Sequence, residues 1–138
     1  MDWKKYHYSG GYHESVGVSR TLPLVDVTLS RSNRSFTTKA LIDSGSSMIH
    51  INKEVALELG ITLENLKGVG SKTIGQDVKG LLSYINIEIK RCGKSFQSDM
   101  VIVEGLPFPV LLGQNNFFDH FDIKCQKSKN TFSIKRVK

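Results

Sequence analysis

Apolar and polar residues alternate along most of this chain, and the alternation predicts a protein built from strands. In Leu24 to Leu29, Val25, Val27 and Leu29 are separated by Asp26 and Thr28, the mark of a strand with one buried face. Arg31-Ser32-Asn33-Arg34 is polar turn material, and Phe36, Thr38, Ala40 and Ile42 form the inward set of a return strand. Leu81 to Lys90 is the clearest strand, with Ile85, Ile87 and Ile89 alternating against Tyr84, Asn86 and Glu88. Cys92-Gly93 turns that strand and Phe96 to Val103 returns. Shorter strands are predicted at Met48 to Ile51, Val110 to Gly113, Phe121 to Cys125 and Thr131 to Ile134.

Helical spacing is confined to two short stretches. Asn52 suits a cap for a helix over Lys53 to Leu59, which Gly60 stops. Gln114 to His120 suits a second, with Phe117 and Phe118 packed inward. Leu66 to Gly80 carries Gly68, Gly70, Gly75 and Gly80 among β-branched residues and reads as a mobile hairpin. Its Gly-Val-Gly-Ser-Lys has the look of a phosphate loop, but no strand-loop-helix follows, and that reading is set aside. Met1 to Arg20, rich in Tyr, Gly, His and Ser without an apolar period, is expected to be a flexible arm. His50 is expected to be a half-exposed strand residue rather than a base. The class is mostly β, in one domain of 138 residues.

Charge changes this picture only locally. The chain carries a net charge of +6, and Lys124, Lys127, Lys129, Lys135, Arg136 and Lys138 account for it, because the remaining basic and acidic residues balance at 13 each. A basic terminal hairpin, together with Trp3, Tyr6, Tyr8 and Tyr12, is one route to nucleic acid. A solvated, aggregation-resistant sheet edge is the favoured alternative. No apolar run is long enough to span a membrane, and no signal peptide is recognisable. The setting expected is therefore intracellular: the cytoplasm, or a virus-like particle if the chain comes from a retroelement. Cys92 and Cys125 read as buried free thiols, and the four histidines show no metal-ligand spacing, so no metal or cofactor is expected.

The candidate chemistry lies in Ala40-Leu41-Ile42-Asp43-Ser44-Gly45-Ser46-Ser47, an apolar strand ending in an acid, a hydroxyl and a glycine. A carboxylate there sits at a strand end, beside a glycine that lets substrate or water approach the backbone. By itself, Asp-Ser-Gly is also an ordinary turn. Followed in order by a Gly-rich hairpin and by Leu111-Leu112-Gly113 entering a short helix, it resembles the retropepsin-like aspartic proteases. These include the retroviral and retrotransposon proteases and the related domain of ubiquitin-shuttle proteins. The resemblance covers about Leu22 to Ile134.

The resemblance implies a closed β-barrel with a flap hairpin and one or two short helices, one lobe per chain. It divides the chain into an arm at 1–20 and a protease domain at 21–138. Asp43 would be the catalytic carboxylate, Ser44 would brace the loop across a molecular two-fold, and Gly45 would leave room for substrate backbone. Leu112 and Gly113 would support the loop from beneath. Gly68, Val69, Gly70, Ser71, Thr73, Ile74 and Gly75 would belong to the substrate-binding flap. Where retroviral enzymes commonly carry Ala, this chain has Ser46. A hydroxyl donating to the carboxylate favours its ionised form, placing the expected activity window at lower pH than in a Ser46→Ala variant. Aspartic peptidase chemistry uses two carboxyls sharing one proton. The chain holds a single Asp-[Ser/Thr]-Gly, so a homodimer acting on extended polypeptide, such as a precursor polyprotein, is expected. An inactive dimerisation or peptide-binding module with the same fold is the alternative function.

Overall fold

A computed structural model of the chain describes residues 2–13, 18–73 and 76–137. In chain order its strands are β1 (Lys4–His7), β2 (Ser9–His13), β3 (Val18–Leu22), β4 (Leu24–Arg31), β5 (Arg34–Ile42), β6 (Ile49–Asn52), β7 (Lys67–Thr73), β8 (Gln76–Ile89), β9 (Phe96–Val103), β10 (Val110–Leu112), β11 (Phe121–Gln126) and β12 (Thr131–Arg136). One helix, α1 (Lys53–Glu58), follows β6.

Seven strands form one sheet in the order β4-β5-β10-β6-β9-β8-β7. A further pairing of β4 with β8, Val27 opposite Ile89 and Leu29 opposite Ile87, closes all but β7 into a ring. The alternating residues foreseen for β4 and β8 are what fill it: Val25, Val27, Leu29, Ile85, Ile87 and Ile89 are each at most 1% exposed. The clearest predicted strand is longer than its apolar period. β8 runs unbroken for 14 residues, from the Gly-rich hairpin into the ring. Gly80 lies at that passage, where a Cβ would stand 2.5 Å from the Ile102 carbonyl oxygen.

The helix forms as its capping residues predict. Asn52 Oδ1 accepts from the Glu54 N–H at 3.1 Å, while its Nδ2 donates to the Leu106 carbonyl at 2.7 Å. Gly60 takes φ +71° beyond the C-terminus. The second expected helix differs. Gln114–Phe118 is an irregular wide turn in which Asn115 is extended and Asn116 is left-handed at φ 71°. Asp119 Oδ2 accepts the Asn116 N–H at 3.0 Å, and this local bond competes with a regular helical ladder. Phe117 is fully buried there and Phe118 only partly.

The N-terminal segment also departs from expectation. Residues 4–7 are not an unpaired arm but β1, antiparallel to β12 in a sheet ordered β1-β12-β11. The boundary expected at residue 20 falls inside β3, which pairs with β2. The cause is a short period-2 signal, Tyr6 and Tyr8, that the surrounding Gly, Ser and His residues conceal. Tyr6 stacks on Phe132 with ring centroids 5.4 Å apart, and Tyr8 meets the same ring edge-on at 5.3 Å. Burying rings of this size contributes roughly 2 kcal/mol each, enough to hold a four-residue strand. The Tyr6 hydroxyl also donates to the Lys90 carbonyl and lies 3.0 Å from Cys92 Sγ. Both cysteines are free, as expected, but only Cys92 is buried, and Cys125 is exposed. Burial pushes the Cys92 thiol up, which keeps it protonated and inert.

Candidate active site

β5 carries Asp43 out of the ring between two neighbours. On one side it is antiparallel to β4, and on the other it is parallel to β10, with Ile42 opposite Leu112. The Ile42 N–H donates to the Pro23 carbonyl at 3.1 Å and the Asp43 N–H to the Leu112 carbonyl at 2.9 Å. The chain then reverses at once, the Ser46 N–H returning to the Asp43 carbonyl at 3.1 Å.

This turn holds the carboxylate from within. The Gly45 N–H donates to Asp43 Oδ1 at 3.0 Å and the Ser46 hydroxyl to Oδ2 at 2.6 Å. Hydrogen bonds to an ionised acceptor are the stronger kind, so the side chain is oriented before anything binds. Ser46 is fully buried, Asp43 is partly exposed, and Ser44 and Gly45 face outward.

Leu112 and Gly113 lie against the same loop. Leu112 is fully buried, and Gly113 passes so close that a Cβ would stand 2.2 Å from the Met48 carbonyl oxygen and 2.5 Å from that of Ser46. That approach lets the next N–H groups dock: Gln114 donates to the Ser46 carbonyl at 2.8 Å and Asn115 to that of Ser47 at 3.0 Å. The Gln114 side chain adds a 2.8 Å bond to the Ser44 carbonyl. Its role was not foreseen, although its position directly after Leu-Leu-Gly was the available signal.

The Gly-rich hairpin meets this loop at Ser47. Ser47 N–H donates to the Lys72 carbonyl at 3.0 Å, and the Lys72 N–H returns to Ser47 Oγ at 3.2 Å. Ser47 Oγ lies 3.0 Å from Ser71 Oγ, which in turn lies 2.8 Å from His50 Nε2. Val69 is half-buried, and with Val78 and Leu82 it packs on a small apolar cluster that includes Val101 and Leu111. Gly68 and Gly70 are exposed with open space where a Cβ would go, and Thr73 is buried. Ile74 and Gly75 lie outside the described residues. Of the candidate residues, then, the Asp43 loop and Leu112-Gly113 form one unit, and the hairpin touches it through Ser71 and Lys72.

His50 corrects the expectation of a half-exposed strand residue, being fully buried between Ile49 and Ile51. Alternation fails there because β6 is buried on both faces, Ile49 and Ile51 on one and His50 on the other, where Ser71 meets its ring. Its Nδ1 has no hydrogen-bond partner of normal geometry among the described residues. Burial holds the imidazole below its ordinary value, opposed by the Met48 backbone and the Asp43 charge.

Three lysines of the basic terminal hairpin lie against aromatic rings of the N-terminal segment. Lys124 and Lys135 flank the Trp3 ring at 5.0 and 5.8 Å, and Lys127 lies over Tyr8 at 4.4 Å while also donating to Thr21. Tyr6 and Tyr8 are buried, so they do not join Trp3 in a stacking surface. Among the described residues no cluster of three or more His, Cys, Asp or Glu side chains is placed to hold a metal ion. Nor is any described helix long and apolar enough to cross a membrane.

Comparison with known proteins agrees with this geometry. The chain is similar in structure to a retropepsin-like aspartic protease from Rickettsia conorii, at a TM-score of 0.59 and 18% identity, covering 96% of this chain and 91% of that one. It is also similar to the retroviral protease-like domain of Ddi1 from Leishmania major, at a TM-score of 0.55 and 14% identity, covering 85% and 94%. No curated protein sequence matches it. These likenesses establish a retropepsin-like fold. A sequence family described as gag-polyprotein putative aspartyl protease matches residues 30–119, a span that includes the Asp43 loop, the Gly-rich hairpin and Leu112-Gly113. The chain belongs to that family.

Proposed function

We propose that the protein is an aspartic endopeptidase whose active centre is assembled from two copies of the chain, each contributing Asp43. The observation that carries this reading is the pre-oriented carboxylate at the outward end of β5, gripped on both oxygens by Gly45 N–H and Ser46 Oγ. One such group is half of the required pair. The sequence contains no second Asp-[Ser/Thr]-Gly, so the other half comes from a partner related by two-fold symmetry.

Two facing carboxyls share one proton, because like charges so close do not both ionise. The ionised member takes a proton from a water held between them, and the resulting hydroxide adds to the scissile carbonyl, which the protonated member polarises. The tetrahedral diol collapses as a proton passes to the amide nitrogen. This breaks the C–N bond and releases an acid and an amine. The hairpin of β7 and β8 serves as the flap, so that an extended substrate lies between it and the Asp43 loop as an added strand. Gly45 leaves its backbone accessible, while Ser44, Leu112 and Gly113 hold the loop in place. A precursor polypeptide is the substrate class in keeping with the gag-polyprotein family.

The test is digestion of a diverse peptide mixture across about pH 4 to 7.5, a range in which such a dyad shares one proton. Asp43→Asn runs in parallel, with the molecular mass in solution measured for both. Cleavage by a dimer that vanishes in Asp43→Asn is the expected result. A dimer that cuts nothing, or an Asp43→Asn variant that cuts as well as the wild type, overturns the reading in favour of a binding module.

A further inference from the structure

A groove of about 530 Å³ lies between the hairpin and the Asp43 loop, lined by Ser47, Gly70, Ser71, Lys72, Asp77 and Lys79 among others. Its lining is mostly apolar, and into it two segments distant in sequence bring a pair of hydroxyls. Ser47 Oγ and Ser71 Oγ are 3.0 Å apart, and the Lys72 N–H anchors the first of them. Ser71 is held from behind by His50 Nε2 at 2.8 Å. That imidazole is completely buried, with Nδ1 lacking a partner of normal geometry. An aliphatic side chain between Ile49 and Ile51 would fill the same space without the cost of desolvating a ring. What His50 adds is orientation of the Ser71 hydroxyl. The rim is cationic: Lys72 and Asp77 form a loose, exposed pair at 3.7 Å, leaving Lys79 as excess positive charge on the groove.

We propose that this groove is a hydrogen-bonding subsite of the substrate cleft, selecting a substrate side chain with an acceptor oxygen, a carboxamide or a carboxylate, close to the scissile bond. Ser47 and Ser71 are its specificity determinants and His50 is a positioning residue. The inference rests on the peptidase reading for its biological meaning, but not for its test. Ser47 follows Ser46, whose hydroxyl holds the Asp43 carboxylate, so a side chain in the groove belongs to a residue near the bond to be cut. A site arranged to hydrogen-bond its ligand rejects an aliphatic analogue, because the site's own polar groups are then left unpaired.

Two readouts test it. In the first, wild-type protein digests a peptide library randomised at every position. Asn, Gln, Asp or Glu is expected to be enriched at one fixed position relative to the cut, by about tenfold or more over Leu and Val. In the Ser47→Ala/Ser71→Val double variant that enrichment disappears and acceptance shifts toward aliphatic residues at the same position. His50→Leu weakens the enrichment mainly through KM, and His50→Gln, which keeps a hydrogen-bonding side chain, restores part of it. Lys72→Ala/Lys79→Ala lowers acceptance of Asp and Glu but not of Asn and Gln, which separates carboxylate from carboxamide recognition.

In the second readout, binding of the same library to Asp43→Asn is measured without turnover. An acceptor-oxygen preference there that depends on Ser47 and Ser71 supports the subsite even if wild type cleaves nothing, in which case only the peptidase reading fails. A preference for aliphatic residues at every position, or an unchanged preference in the double variant, overturns the subsite whatever the activity.

Discussion

The Asp43 loop and the β7/β8 hairpin meet at Ser47, yet they are held by different physics. The loop is fixed largely by backbone. Its N–H and carbonyl groups bond to Pro23, Leu112, Gln114 and Asn115, and the absence of a side chain at Gly113 lets two segments approach closely. The hairpin is attached midway by Val69 and Val78 in a small apolar cluster and, close to its turn, by the Ser71 and Lys72 contacts to Ser47. Its Gly68 and Gly70 stand in open space. A group that orients reacting atoms needs over-determined geometry, whereas an element that admits substrate draws on the less stable part of a fold. One strand joins the two regimes: β8 begins in the hairpin and ends in the fully buried Ile85, Ile87 and Ile89.

The largest expected effect is at the close approach. Gly113→Val places carbon against the Met48 and Ser46 carbonyl oxygens, neither of which is a flexible side-chain end, and costs about 3 kcal/mol or more in urea unfolding. A loss below about 1 kcal/mol would mean that the loop yields more easily than its contacts imply.

Next is Ser46→Ala, which removes the 2.6 Å bond to the carboxylate and leaves a cavity of hydroxyl size. A loss of about 1 to 2 kcal/mol is expected, with any peptidase activity falling because the carboxylate is no longer held on Oδ2. A variant as stable and as active as the wild type contradicts the role given to Ser46.

His50 produces a smaller effect that depends on pH. Its imidazole lies below the ordinary 6.5 in the folded protein, so above that pH neither the folded nor the unfolded state binds a proton there. As pH falls below 6.5 the unfolded chain is protonated first, and stability is lost until the folded value is passed. His50→Leu is therefore expected to flatten the decline in melting temperature on acidification from 6.5, and parallel curves would show that other groups govern it.

The smallest effect falls on the hairpin. Gly70→Ala meets nothing within 4 Å and is expected to change stability by less than about 0.5 kcal/mol. A larger loss would show that the hairpin is as constrained as the loop.

Local chemistry and alternation made most of the ring legible. The strands of Val25 to Leu29 and Ile85 to Ile89 follow from a period of two, α1 from an Asn cap and a glycine stop, and the Asp43 turn from an apolar run ending in Asp-Ser-Gly. Two helix-like phenylalanines suggested a regular helix at Gln114–His120, but Asp119 bonding the Asn116 N–H and the left-handed Asn116 break it. The N-terminal strand was concealed because Tyr6 and Tyr8 are only two apolar positions, and their burial depends on Phe132, more than a hundred residues away.

The sequence by itself determined which residues prefer strands and where a carboxylate is presented at a strand end, since both are encoded within a few neighbouring positions. Only the tertiary structure decided that β6 is covered on both faces, that His50 is buried behind Ser71, and that Gly113 must remain without a Cβ. Each of these depends on segments far apart in the chain being brought within a few ångströms, and nothing in the spacing of neighbouring residues records that approach.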